Sequence, residues 1–146
     1  MGYNKPIIPT STRSARFGGI LGRYVKSMYI LKFNELKLLE FKITSGDAPM
    51  GCVLAVINTG VETKLLENHI KEFGVEAETG INELALSEPH SVLDGGDRNL
   101  NYSGGLICWV EELEEITLEL VGIPYPEYEI KFPHLVSQYN ELHKNT

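Results

Sequence analysis

Residues 52–58, CVLAVIN, form a continuous apolar run seven residues long. That is strand length, and too short for a membrane span. Alternate residues of a strand point to opposite faces of its sheet, so a run that is apolar at every position belongs inside a sheet with both faces covered. Any fold for this chain must therefore place 52–58 centrally and find two layers to cover it.

The neighbouring segments supply the rest of a sheet. KLLEFKIT (37–44) alternates Leu39, Phe41 and Ile43 with Glu40, Lys42 and Thr44, the period of a half-buried strand. SMYILKF (27–33) suits a strand that pairs with it through a turn at NEL (34–36), and a helix over 24–38 is the competing reading. After Asn58, Thr59 and Glu62 have capping-box spacing, and Val61, Leu65, Leu66, Ile70 and Phe73 share one helical face. Gly74 stands at the C′ stop position, and VEAE (75–78) reads as the strand that closes a strand–helix–strand unit. INELALSEP (81–89) fits either a short helix or an edge strand, ended by Pro89. GLICWVEE (105–112) reads as a buried strand. EITLELVGI puts Ile116, Leu118 and Leu120 on one face, and EYEIKF (127–132) reads as a strand with Tyr128, Ile130 and Phe132 inward. A last helix starts at Pro133, with Leu135, Val136, Tyr139 and Leu142 toward the core. These elements predict an α+β fold: a mostly antiparallel sheet of five or six strands, with two helices on one face. The second face remains to be covered by the N-terminal arm or by another subunit.

The arm is set apart by charge. Residues 1–34 carry a net charge of +6 with no Asp or Glu, whereas 35–146 carry −13, within a chain of 146 residues and net charge −7. Pro6, Pro9 and Gly18, Gly19 and Gly22 oppose regular structure in this region. The division is an extended basic arm over 1–23 and a single acidic domain over 24–146. Arg13, Arg16 and Arg23, interspersed with apolar residues such as Ile7, Phe17, Ile20 and Leu21, suit forked pairing with carboxylates. The acidic balance of the body argues against nucleic acid as a partner. No leader peptide or membrane-spanning run is evident, and a cytoplasmic location is the expectation. Cys52 and Cys108, in apolar surroundings, read as free core thiols.

The densest polar cluster is EPHSVLDGGDRNLNYSGG (88–105), read from His90 onward as a long loop. Long loops in compact domains often carry contacts, so His90, Asp94, Asp97, Arg98, Asn99, Asn101 and Tyr102 are candidate ligand or partner residues. Asp97, Asn99 and Asn101 open with the spacing of a calcium loop, but Tyr102 and Cys108 occupy the positions that need Gly and a bidentate Glu. His90, Ser91 and Asp94 are residue types of a nucleophilic triad without its usual sequence context. No histidine or cysteine spacing suggests a metal, no cofactor is implied, and His69, His134 and His143 read as surface histidines.

The leading expectation is a non-enzymatic interaction module that self-associates through the basic arm, with an acidic body suited to a basic protein partner, as in an inhibitor or immunity-type binder. An alternative is a binder of an anionic, nucleotide-like small molecule through arm arginines and the 90–104 loop. A second alternative is a small hydrolase.

Overall fold

A computed structural model describes residues 28–143. Its strands are β1 (Met28–Phe33), β2 (Leu36–Lys42), β3 (Ser45–Asp47), β4 (Cys52–Asn58), β5 (Val75–Glu78), β6 (Ile81–Ala85), β7 (His90–Leu93), β8 (Gly104–Val110) and β9 (Glu115–Val121). Its helices are α1 (Lys64–Phe73), the short α2 (Glu127–Lys131) and α3 (Pro133–His143). The strands form a six-stranded sheet in the order β3-β4-β9-β8-β6-β5 and a three-stranded sheet in the order β2-β1-β7. Every pairing is antiparallel. The α+β class and the six-stranded sheet match the sequence reading; the second, smaller sheet is new.

One continuous core joins the layers. Val53 and Ala55 of β4, Ile116, Leu118 and Leu120 of β9, Ile107 of β8 and Leu84 of β6 point to the same side. They meet Leu31, Leu39 and Phe41 of the small sheet, Leu66 and Ile70 of α1, and Tyr128, Phe132 and Leu135 around α2 and α3. Burying such side chains contributes about 1.5–3 kcal/mol each, which is the main force holding the two sheets and three helices as one body.

Several local expectations are corrected. Strand β4 and strand β5 are separated by β9, β8 and β6, so α1 crosses over most of the sheet rather than linking neighbours. The helix begins at Lys64, after a 3-10 turn over Val61–Thr63. Thr63 stands at the N-cap without a side-chain cap bond; its Oγ1 accepts from the Gly60 N–H (2.8 Å), closing the 3-10 turn, and donates to the Glu67 carboxylate (2.6 Å), in place of the box expected of Thr59 with Glu62. The buried face of α1 is Leu66, Glu67, His69 and Ile70, while Val61, Leu65 and Phe73 are exposed. Gly74 is not in the left-handed conformation expected of a C′ residue; its φ is −90°. A Cβ there would lie 2.5 Å from the Glu83 carbonyl oxygen and 2.7 Å from that of Ile70, so close approach of two backbones, not handedness, requires glycine. Leu142, expected in the core, is exposed.

The segment 127–131 is helical, not a strand. Tyr128 and Phe132 share a face at both a two-residue period and at i, i+4 spacing. Ile130 decides between them, and it is 74% exposed. Tyr128 is fully buried and donates its hydroxyl to the Cys52 carbonyl at 2.8 Å, and burial pushes its pKa up to about 12. The start of β4 is thereby tied to α2. Replacing Tyr128 by Phe strands that carbonyl and should lower unfolding free energy by about 1–2 kcal/mol. Ile130→Ser should change it by less than about 0.5 kcal/mol. Urea unfolding of the two variants checks this, and equal losses would contradict the helical assignment.

Candidate functional site in the polar loops and the open sheet face

The loop cluster divides into a clamped turn and a cavity. His90 to Leu93 is strand β7, not loop; it pairs with β1 in the register Phe33↔His90 through Ile30↔Leu93. The chain then turns tightly. Asp94 Oδ1 accepts from the N–H groups of Gly96 (2.8 Å) and Arg98 (3.1 Å), and Asp94 N–H donates to the Arg98 carbonyl (2.8 Å). Asp97 takes the one left-handed position of the turn, φ 63°, a conformation that Asp tolerates. The other Asp94 oxygen receives Lys131 of α2. Four residues earlier on the same helix, Glu127 accepts from Asn101 Nδ2 (2.9 Å) and Asn101 N–H (3.2 Å). Thus Asp94 and Asn101 fasten the loop to α2, and Asp97 shapes the turn. Arg98 and Asn99 lie exposed on it.

These contacts set the protonation of Asp94. Burial alone would raise its pKa, but the bonds from Lys131, Arg98 and Gly96 outweigh burial and hold the carboxyl below its usual 3.8. A carboxylate depressed in the folded state adds stability above its unfolded pKa, and that stability is lost as pH falls through the folded value. Asp94→Asn should therefore cost about 1.5–3 kcal/mol at pH 7, with the difference from the parent shrinking below pH ~4. Thermal melts at pH 7 and pH 3 test this; an equal deficit at both would contradict it.

Beside the turn lies a cavity of about 330 Å³ between residues 86–91 and 99–103, lined by Ser87, Glu88, His90, Asn99, Asn101 and Tyr102 among others. Tyr102 closes one side, its hydroxyl donating to the Leu86 carbonyl at 2.9 Å; burial raises its pKa. The structure thus brings His90, Asn99, Asn101 and Tyr102 together on one lining and leaves Asp94, Asp97 and Arg98 off it. Among the described residues the lining holds one carboxylate, Glu88, and no Lys or Arg, so the electrostatics of these residues favour a neutral or cationic guest over an anion.

His90 does not form a triad. Its Nδ1 lies 3.0 Å from the Ser87 carbonyl and its Nε2 lies 2.9 Å from Nε2 of His69. Both ring nitrogens are engaged away from Ser91 and Asp94, and Asp94 is held by Lys131 and backbone amides. His69, read as a surface residue, is only 6% exposed and His90 8%. The spacing Leu66, His69, Ile70 and Phe73 is i, i+3, i+4, i+7, which was the available signal for a buried histidine. Among the described residues no three His, Cys, Asp or Glu side chains converge on a metal site. No helix among them is long and apolar enough to cross a membrane. Arg13, Arg16 and Arg23 lie outside the described residues.

The second candidate site is the outward face of the six-stranded sheet. Strand register sets Leu54, Glu119, Leu106 and Ala85 side by side, then Val56, Thr117, Cys108, Glu83 and Val75, then Asn58, Glu115, Val110 and Ile81. None of these is buried, although the alternating positions of β4, β6, β8 and β9 nearly all are. Val56 is 43% and Leu106 40% exposed. Among the described residues the run 52–58 thus has cover on one face only. Cys52 and Cys108 are half-buried rather than core thiols, and burial and the nearby Glu83 carboxylate push the Cys108 thiol up in pKa. The six strands hold Asp47, Glu76, Glu78, Glu83, Glu115 and Glu119 and not one Lys or Arg. The β8–β9 turn adds Glu111, Glu112 and Glu114 at one end. The acids at 83, 115 and 119, alternating with core residues, mark this face in the sequence.

Comparison with protein-family models, with characterised proteins and with solved structures returns no match.

Proposed function

We propose that this chain is a non-enzymatic interaction module that self-associates, the basic N-terminal segment of one copy docking on the open face of the six-stranded sheet of another. The observation that carries this reading is the composition of that face: half-exposed Val, Leu and Cys side chains, carboxylates at regular intervals, and no cation in any of its strands. An apolar surface of this kind marks an interaction site more often than a solvated one. The 27 residues before β1 contain Lys5, Arg13, Arg16, Arg23 and Lys26, no acid, and Tyr3, Ile7, Ile8, Phe17, Ile20 and Leu21. Their apolar residues match the Val–Leu rows, and their arginines match the carboxylates between them. A basic protein of another kind would meet the same complementarity. The segment within the chain is favoured because it is present in equal amount with every sheet it would cover.

Light scattering tests the reading. The full chain should have the mass of an assembly, and removal of residues 2–23 should return it to that of one copy. Glu83→Lys with Glu119→Lys should raise the dissociation constant several-fold, because each exposed opposite-charge pair contributes up to about 1 kcal/mol, and salt should weaken the parent assembly. An unchanged mass on removal of the arm would overturn self-association through it.

A further inference from the structure

We propose that His69 and His90 form a single-proton latch that fastens α1 to the three-stranded sheet at neutral pH and opens in acid. The pair is enclosed by aromatic rings. Phe33 of β1 lies 4.6 Å from His69 and 5.0 Å from His90, and Phe73 at the end of α1 lies 4.7 Å from His69 and 5.1 Å from Phe33. The hydrogen-bond network assigns the protons. A carbonyl only accepts, so His90 Nδ1 carries hydrogen toward Ser87, and His90 Nε2 is left with a lone pair. His69 Nε2–H then donates to it across 2.9 Å. One added proton is compatible with this bond, because either ring as an imidazolium still donates to the other. A second is not: both facing nitrogens would carry hydrogen, and two cations would face each other at rings that are less than a tenth exposed.

The charged groups around the pair do not offset that conflict. Burial and His90 lower the pKa of His69, and Glu72 on α1 raises it by less. On the β1 side Lys32 is paired with Glu35. At the other end of α1's contact with the large sheet, Lys71 and Glu111 pair with each other. Glu88, before β7, is exposed on the cavity rim. Relief therefore comes from separating the rings. His90 keeps its bonds to the Ser87 carbonyl through both its Nδ1 and its backbone N–H, so separation releases α1 from the 87–90 turn that walls the cavity.

The sign follows from proton counting. The folded chain binds fewer protons than the unfolded chain below pH ~6.5, so stability rises with pH through that window and falls as acid is added. Denaturant unfolding of the full chain between pH 5 and 8 reads this out, comparing the parent with His69→Phe. Below pH ~6.5 the parent's folding constant should fall up to about tenfold per pH unit more steeply than the variant's for each excluded proton. Parallel curves would overturn the latch. If His69→Phe fails to fold, nitrogen-15 NMR of the parent imidazoles decides. The latch requires the Nδ1–H tautomer on His90 and at most one ring protonated while the chain stays folded. Two rings titrating fully in the folded protein would overturn it.

Discussion

The arrangement of this protein turns on one-sided burial of a six-stranded antiparallel sheet. Its inner face is sealed by a second sheet and three helices through a core that includes Val53, Leu118, Tyr128 and Phe132. The other face leaves Leu54, Val56, Leu106 and Val110 half-buried, so each forgoes part of the about 1.5–3 kcal/mol that full burial contributes. Antiparallel sheets tolerate a solvated face when it is polar. Here it is apolar and acidic together, a combination that water satisfies only in part and a basic, apolar polypeptide satisfies better.

The two ends of α1 show how the covered side is kept in place. At its start, Thr63 and Glu67 close the helix on itself. Toward its end, Lys71 and Asn82 share the Glu111 carboxylate, and Lys71 lies over the Trp109 ring. Between these, the His69–His90 bond reaches the small sheet. The apolar contacts of Leu66 and Ile70 carry most of the stability, while the imidazole pair makes one of those attachments depend on proton concentration. The neighbouring loop uses a different device: Lys131 and Glu127, one helical turn apart on α2, each grasp the 94–101 segment.

The parts of this fold that read directly from the chain are those where one periodicity stands alone. The hairpin of β1 and β2, the strand 52–58, the body of α1 and the inward set Ile116, Leu118 and Leu120 all follow from alternation or from a continuous apolar run. Elements with too few residues to show a period were missed. Strand β3 is three residues, Ser45–Asp47, and β7 is four, hidden in a polar stretch. Helix α2 misled because Tyr128 and Phe132 satisfy both periods. The polar residues of 88–105 are visible in the sequence as a stretch, but what each one touches depends on partners distant in sequence: Asp94 on Lys131, and His90 on His69. Whether a run such as CVLAVIN is covered on one face or two is a tertiary property, which local sequence pattern does not carry.

Thiol reactivity tests cover of the open face most directly. Cys108 lies in the middle of that face, paired across the sheet with Thr117 and Glu83, and Cys52→Ser would leave it as the sole thiol of the chain. Its labelling rate by a small thiol reagent at pH 8.5 is to be compared between the full chain and the chain lacking residues 2–23. Docking of the basic segment predicts slow labelling in the full chain, faster labelling after truncation, and restored protection when the missing segment is added as a peptide. Equal rates in the full and truncated chains would contradict it.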